Sequence, residues 1–200
     1  MEQLKNEKLT VEISSHGAEL QSIRNAEGRE YLWQGDEKYW PRRSPLLFPI
    51  VCGLWKDEYR VDGRTFNLPR HGFARDMDFE VVEKSDTSVT YTLESNAQTR
   101  EVYPYDFELD VTYILNDDNI NVIWSVKNTG KEEMHFQIGG HPAFNLPGVA
   151  EGDKMHGSIL FDNVEPLTRI IGNTGGCIKP ERYELKTDRQ VWNFDEESFA

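Results

Sequence analysis

Alternation of apolar and polar residues with a period of two is the sequence feature that most constrains the fold. It is clearest from Phe107 to Leu115, where every second residue is apolar, and it resumes from Ile120 to Val126 after an Asn-Asp-rich turn. Successive side chains of a β-strand point to opposite faces of the sheet, so this pattern predicts strands with one buried face. Convincing helical periodicity is nearly absent. The sequence therefore predicts an all-β fold.

Short turn signals separate the alternating segments. Asp62-Gly63 lies between two such segments and is a strong signal for a two-residue hairpin, and Ser85-Asp86 separates another pair. Strands joined by short turns pair with their neighbours in sequence, which is typical of an antiparallel sandwich or barrel. The sequence shows no internal repeat and no linker. We therefore expect a single domain that covers residues 1–200.

The charge and the apolar content restrict the partners of the chain. The net charge is −13, from 35 acidic residues against 22 Lys and Arg, and this charge repels nucleic acids. No apolar run approaches the roughly 20 residues that span a membrane, and residues 1–8 lack the apolar core of a secretion signal. Cys52 and Cys177 lack CxxC spacing, and two free thiols fit a cytosolic protein. We expect a cytoplasmic location and no membrane partner, whereas the oligomeric state stays open.

Two histidines lie in segments rich in Gly and Pro. His71 belongs to residues 68–76 (LPRHGFARD), and His141 belongs to residues 138–145 (IGGHPAFN), which the alternating run 134–138 precedes. Both segments follow strand-like runs, so we expect both histidines at loop mouths. Imidazole gives and takes protons near neutral pH, and two such rings facing one pocket would suit proton transfer on a neutral, polar substrate. A purely structural role is the alternative for each histidine.

Other residues of these segments could contact such a substrate. Pro142 restricts His141 to extended conformations, and Phe144 could stack on the apolar face of a sugar ring. In residues 40–50 (WPRRSPLLFPI), Arg42 or Arg43 could offer a forked donor to vicinal hydroxyls or to a carboxylate. A surface ion pair is the alternative for at least one of these arginines. The histidine spacing fits no standard zinc pattern, so we predict no metal site. No nucleophile-elbow, phosphate-loop or dinucleotide motif is present.

Four segments in order, residues 40–50, 68–76, 103–107 and 139–145, resemble the aldose 1-epimerase (galactose mutarotase) family, and residues 17–23 fit its opening hairpin. The resemblance is closest to the bacterial aldose-epimerase-like branch and spans roughly residues 7–200. It implies a large antiparallel β-sandwich of the galactose mutarotase type, with the sugar on one concave sheet face. It also implies that the protein interconverts the α and β anomers of a free aldose by acid/base ring opening and closure, without a cofactor.

The resemblance also implies roles for individual residues. His141 would be the general acid on the ring oxygen, and His71 would help to bind and orient the sugar. The expected substrate-binding residues are Arg42, Arg75, Phe144 and Asn145.

The general base of the family, a glutamate in its C-terminal part, cannot be mapped onto this sequence. The candidates that lack its context are Glu181, Glu184, Glu196 and Glu197. Because family members are substantially longer, we expect a missing C-terminal portion. Two alternatives follow: a non-catalytic carbohydrate-binding sandwich, and a hexose-phosphate mutarotase. The acidic net charge counts against the second alternative. The basic residues that count for it are Arg42, Arg43, Arg70 and Arg75.

Overall fold

The alternating segments form strands in the computed structural model, which describes residues 1–146, 148, 152–153, 156–162, 166–172, 178–195 and 198. The chain divides into two compact units, Met1–Asn145 and Leu146–Ala200. The predicted single domain over residues 1–200 stays a prediction.

The first unit contains eleven strands and one short α-helix, α1, at Ala97–Val102. The strands are β1 (Glu2–Lys5), β2 (Leu9–Ile13), β3 (Leu20–Asn25), β4 (Leu46–Leu47), β5 (Glu58–Val61), β6 (Arg64–Asn67), β7 (Glu80–Lys84), β8 (Ser88–Glu94), β9 (Phe107–Asn116), β10 (Asn119–Asn128) and β11 (Gly139–Gly140). Short 3₁₀ turns lie at Trp55–Asp57 and Ala74–Asp76. The described strands of the second unit are β12 (Ser158–Leu160), β13 (Thr168–Gly172), β14 (Ile178–Glu184) and β15 (Val191–Asn193).

The strands pair in antiparallel ladders. In the first unit, a three-stranded sheet has the order β1-β2-β3 and a four-stranded sheet has the order β10-β9-β8-β7. Two smaller ladders pair β4 with β11 and β5 with β6. In the second unit, β12 pairs with β15 and β13 pairs with β14. Neighbours in sequence therefore pair in most ladders, as the short turns predicted.

The core of the first unit lies between its two larger sheets. The buried face of β9 carries Phe107, Leu109, Val111, Tyr113 and Leu115, and these side chains share one cluster with residues of β1, β2, β3 and β8. Two tyrosine hydroxyls also link the sheets: Tyr91 donates to the carbonyl oxygen of Ile13 (3.2 Å), and Tyr113 donates to that of Ala18 (2.7 Å). Buried tyrosine hydroxyls need such acceptors. The predicted all-β sandwich is confirmed.

The local predictions hold at the hairpin and fail at the helix. Asp62 (φ 48°) and Gly63 (φ 77°) both have positive φ, as a two-residue loop of type I′ requires. Helix α1 was not predicted, because six residues are too few for a 3.6-residue period to appear. It begins with a capping box in which the Asn96 side chain accepts from Thr99 N and the Thr99 side chain accepts from Asn96 N.

Residues 134–138 form no strand, and their apolar residues are not all buried, because Phe136 is 41% exposed. Met134 and Ile138 pack against the core. The backbone of Gln137 donates to the carbonyl oxygen of Pro49 (2.9 Å), and its side-chain oxygen accepts from Val51 N (3.0 Å). The hydrogen bonds of Gln137 therefore go to a loop, and the strand that the alternation suggested does not form.

Cys52 carries an exposed free thiol, whereas Cys177 lies outside the described residues. Within the described part of the chain, no helix combines the length and the apolar character needed to cross a membrane.

Candidate active site

The imidazole of His71 is held by a reciprocal pair of hydrogen bonds with Cys52. His71 N donates to the carbonyl oxygen of Cys52 (2.9 Å), and Cys52 N donates to Nδ1 of His71 (3.0 Å). Both residues have left-handed backbone, with φ of 69° for His71 and 67° for Cys52. Such a conformation costs a non-glycine residue about 1–3 kcal/mol and clusters at functional sites. The surrounding structure therefore fixes both the backbone and the ring of His71.

The residue after His71 has to be a glycine. Gly72 has a φ of 70°, and a Cβ atom built there would lie 2.2 Å from the carbonyl oxygen of Phe48. That same oxygen accepts hydrogen bonds from Phe73 N (3.0 Å) and Ala74 N (3.2 Å). Phe48 is fully buried in the core. The turn that carries His71 therefore packs closely against the backbone of a core residue, Phe48.

His141 directly follows β11, the short strand that pairs with β4. Beyond that ladder, His141 N donates to the carbonyl oxygen of Pro45 (3.1 Å), and Ala143 N donates to that of Arg43 (2.9 Å). The ring centroids of His71 and His141 lie 6.0 Å apart, edge to face at 64°. The structure therefore brings together two histidines that are distant in sequence, while their roles toward a sugar stay predictions.

The tautomer of His71 follows from its contacts. Because Nδ1 accepts a hydrogen bond from Cys52 N, the proton of the neutral ring is assigned to Nε2. Burial lowers the pKa of His71 below its ordinary value, and the positive fields of Arg75, His141, Arg70 and Arg42 lower it further. His71 is thus a neutral Nε2–H donor near pH 7, suited to orienting a polar substrate.

The carboxylate of Asp76 contacts two of the predicted arginines, Arg42 and Arg75. Its Oδ1 accepts from Nη2 of Arg42 (2.8 Å), and its Oδ2 lies 3.5 Å from Nε of Arg75. Arg75 also donates from Nη2 to the carbonyl oxygen of Arg70 (2.8 Å). These contacts hold the guanidinium groups of Arg42 and Arg75 together at the turn that carries His71.

Arg43 is directed elsewhere. Its Nη1 donates to the carbonyl oxygen (3.1 Å) and to the side-chain oxygen (2.9 Å) of Gln21. Of the two adjacent arginines, Arg42 therefore belongs to the candidate site and Arg43 secures its own segment to the sheet.

A buried carboxylate supports the segment that pairs with His141. Glu19 is 8% exposed, and its Oε1 accepts from the backbone N–H groups of Arg43 (3.0 Å) and Ser44 (2.8 Å). The ring of Trp40, just before this segment, lies 5.1 Å from the His141 ring at 42°. Both contacts restrict the position of His141.

Phe144 and Asn145 lie apart from the histidine pair. The amide of Asn145 donates to the carbonyl oxygens of Leu32 (2.9 Å) and Glu30 (3.3 Å), so it holds backbone. Phe144, which is 58% exposed, lines with Trp124 and Pro142 a mostly apolar cavity of about 420 Å³. His141 and Phe144 are three residues apart in an extended segment, so their side chains lie on opposite sides. Sugar contacts of Phe144 and Asn145 stay predictions.

Sequence reasoning missed the supporting residues of the site. Trp40 and Asp76 stand at the first and last positions of two segments that it singled out, and Glu19 lies within residues 17–23, which fit the opening hairpin. The position within a motif was therefore the available signal. The backbone role of Cys52 left no signal, because any residue has an N–H group and a carbonyl.

Among the described residues, the structure adds no candidate for the general base from the four unmapped glutamates and no candidate metal site. Glu181 and Glu184 are exposed on β14 of the second unit, and Glu196 and Glu197 lie outside the described residues. Within the described ranges, no group of three or more His, Cys, Asp or Glu side chains could hold a metal ion.

The first unit is thus an antiparallel β-sandwich that carries two neighbouring histidines and an arginine–aspartate pair on adjoining segments. The chain belongs to the aldose 1-epimerase family, whose sequence model matches residues 2–160. It is 42% identical over 171 residues to the chromosomal and plasmid LacX proteins of Lactococcus lactis subsp. lactis, which covers 82% of this chain and 56% of each LacX protein.

Two solved structures are similar over nearly the whole chain. A galactose mutarotase related enzyme from Lactobacillus acidophilus is 36% identical with a TM-score of 0.87, covering 99% of this chain and 66% of that one. A galactose mutarotase-like protein from Lactobacillus casei is 34% identical with a TM-score of 0.91, covering 98% and 67%. The galactose-mutarotase type of the fold is therefore confirmed. The chain spans just over half the length of the LacX proteins and about two thirds of these structures.

Proposed function

We propose that this protein interconverts the α and β anomers of a free aldose. The observation that carries the proposal is the convergence of His71 and His141, whose ring centroids lie 6.0 Å apart. Membership of the aldose 1-epimerase family supports the same reaction class. A neutral sugar suits imidazole chemistry, because imidazole exchanges protons near neutral pH.

The reaction needs two proton transfers, one at each of the two oxygens that are bonded to the anomeric carbon C1. A proton reaches the ring oxygen O5 and another leaves the C1 hydroxyl, while the C1–O5 bond breaks and the C1 aldehyde forms. Rotation about C1–C2 and the reverse transfers then close the ring on the other face. His141 is the general acid for O5. A positioned acid of this kind contributes about 10²–10⁴-fold to the rate.

His71 and Arg42 would hold the sugar during these steps. The Nε2–H group of His71 donates to a sugar oxygen, because its Nδ1 is already occupied by Cys52 N. Arg42 offers the remaining donors of its fork to hydroxyls, while Asp76 fixes the orientation of the guanidinium. The base that accepts the C1 hydroxyl proton would be a carboxylate, by analogy with the family glutamate, and it is not assigned to a residue.

Polarimetry of freshly dissolved α-D-glucose and α-D-galactose tests the proposal. The protein should raise the mutarotation rate above that of buffer for at least one aldose. His141→Ala should lower this protein-dependent rate by about 10²-fold or more. His135→Ala is the matched control, because the side chain of His135 is exposed and only its backbone oxygen accepts a bond, from Tyr103. A buffer rate with every aldose would contradict the proposal.

A non-catalytic carbohydrate-binding role is the second candidate. It is favoured by the contacts of Asp76, because Arg42 and Arg75 engage both oxygens of this carboxylate. Calorimetric titration that detects sugar binding, together with a buffer rate in polarimetry, would support this role. Any turnover that depends on His141 would reject it.

A further inference from the structure

Backbone hydrogen bonds extend the β4–β11 ladder in both directions. Beyond one end, His141 N donates to the carbonyl oxygen of Pro45 (3.1 Å). Beyond the other end, Gln137 N donates to the carbonyl oxygen of Pro49 (2.9 Å). Both bonds keep the register in which Gly139 lies opposite Leu47. Gln137 and His141 therefore belong to one extended segment that runs antiparallel to a single partner segment.

The side chain of Gln137 provides the next hydrogen bond at the point where this ladder ends. In a regular continuation of the register, Val51 N would donate to the carbonyl oxygen of His135. That oxygen instead accepts from the hydroxyl of Tyr103 (2.9 Å). Oε1 of Gln137 accepts from Val51 N at 3.0 Å and takes the place of the backbone carbonyl. Gln137 therefore holds the partner segment at two points, through its backbone at Pro49 and through its side chain at Val51.

Val51 directly precedes the residue that orients the ring of His71. Cys52 N donates to Nδ1 of His71 (3.0 Å), and His71 N donates to the carbonyl oxygen of Cys52 (2.9 Å). The peptide unit between Val51 and Cys52 is planar, so the position of Val51 restricts the direction of the Cys52 N–H group. Cys52 also has left-handed backbone with φ of 67°, which the surrounding structure has to hold in place. Gln137 is thus connected to His71 through two hydrogen bonds and one peptide unit.

We propose that Gln137 is a positioning residue that fixes His71 relative to His141. Its backbone belongs to the segment that carries His141, and its side chain holds the loop that orients His71. The inference rests on the proposed function, because the ring separation of 6.0 Å matters to the reaction only where both histidines act on one sugar. The side chain of Gln137 is exposed, so water competes for its hydrogen bond. We therefore expect a measurable change at His71 in a protein that still folds.

Gln137→Met and Gln137→Glu test the inference. Methionine has a similar length but no oxygen acceptor, whereas glutamate keeps an oxygen for Val51 N. At about pH 8, where the His71 ring is neutral, side-chain ¹⁵N NMR reports its tautomer, and hydrogen exchange reports the opening of Cys52 N–H. In Gln137→Met, the Cys52 amide proton should exchange about fivefold faster, and the Nδ1–H tautomer of His71 should become detectable. Gln137→Glu should match the wild type, as should the control Gln98→Met at an exposed position on α1.

Wild-type exchange at Cys52 and a wild-type His71 spectrum in Gln137→Met would overturn the inference. Equal changes in Gln137→Met and Gln137→Glu would also overturn it, because the oxygen acceptor would then be unimportant. Both measurements are made without sugar, so a buffer rate in polarimetry would remove only the anomer interconversion. Where the wild type interconverts an aldose, kcat/KM should fall about fivefold in Gln137→Met and recover in Gln137→Glu. An altered His71 spectrum with unchanged kcat/KM would remove the positioning role and leave the reaction.

Discussion

The backbone of Cys52 fixes the protonation state of His71. Cys52 N donates to Nδ1 of His71 at 3.0 Å, while His71 N donates back to the carbonyl oxygen of Cys52 at 2.9 Å. A ring whose Nδ1 already accepts a bond cannot be protonated there without losing it. Burial and the nearby arginines lower the pKa of His71 in the same direction. The two effects together keep the ring neutral.

We predict that the His71 ring carries its proton on Nε2 and titrates below its ordinary pKa of about 6.5. Because the folded-state pKa is lowered, the folded state binds fewer protons than the unfolded state in this range. The contribution of neutral His71 to the free energy of unfolding is therefore complete above about pH 6.5. It is lost as the pH falls through the folded-state pKa of His71. Side-chain ¹⁵N NMR gives the tautomer and the midpoint, and urea unfolding between pH 8 and 5 gives the stability.

His71→Asn is the matched variant for this prediction. Asparagine tolerates left-handed backbone, and its side-chain oxygen can accept from Cys52 N in place of Nδ1. The variant should therefore fold but lose the part of the acid destabilisation that belongs to His71. An Nδ1–H tautomer, or a midpoint above the ordinary value, would refute the assigned state.

Gly72→Ala should be strongly destabilising. A Cβ atom at Gly72 would lie 2.2 Å from the carbonyl oxygen of Phe48, and the φ of 70° is unfavourable for alanine. Left-handed strain and overpacking together should cost about 2–5 kcal/mol of unfolding free energy. Gly63→Ala is the control, because Gly63 has a similar φ of 77° but nothing within 4 Å of its Cβ position. Chemical denaturation should show a cost of only about 1–2 kcal/mol for the control. Equal costs would mean that the contact with Phe48 is unimportant.

The sequence predicts the larger sheets well, because a strand with one buried face has apolar residues at every second position of its sequence. The alternation of Phe107 to Leu115 reproduces the buried face of β9, and Asp62-Gly63 reproduces the hairpin turn. The same pattern misled over residues 134–138, which form no strand and in which Phe136 is 41% exposed. Whether that backbone joins a ladder depends on distant partners, here Pro49 and Val51. Such pairing over long sequence separations leaves no trace in a local pattern.

The sequence locates the residues of the candidate site better than their partners. His71, His141, Arg42 and Arg75 were singled out. The structure sets the two histidine rings 6.0 Å apart and brings both arginines to Asp76. Which of two adjacent arginines faces the histidines was open, because it depends on whether Gln21 or Asp76 lies within reach of the side chain. The tautomer of His71 was also beyond reach, since it depends on a backbone N–H group.

Glu19→Ala should weaken both stability and any sugar-dependent activity. It would leave the backbone N–H groups of Arg43 and Ser44 without the acceptor that Glu19 Oε1 provides. Two orphaned donors should cost about 2–4 kcal/mol, and the segment that pairs with His141 should loosen. Glu19→Gln keeps a side-chain oxygen and should stay within about 1 kcal/mol of the wild type. Denaturation and polarimetry of both variants check this, and equal losses would show that the negative charge matters more than the acceptor.

Trp40→Ala and Phe144→Ala should differ in their effect on sugar binding. The Trp40 ring lies 5.1 Å from the His141 ring, whereas Phe144 lines the apolar cavity with Trp124 on the other side of the segment. Loss of the aromatic contact should let the His141 ring reorient and weaken sugar binding by about fivefold or more, since aromatic pairs contribute about 0.5–1.5 kcal/mol beyond the burial of their area. Phe144→Ala should leave the affinity within about twofold, because Phe144 is 58% exposed and makes no ring contact with either histidine in the described structure. Calorimetric titration of both variants with the same aldose separates these effects. A larger loss for Phe144→Ala would instead support stacking of Phe144 on the sugar, and would place the bound ring on the side of Trp124.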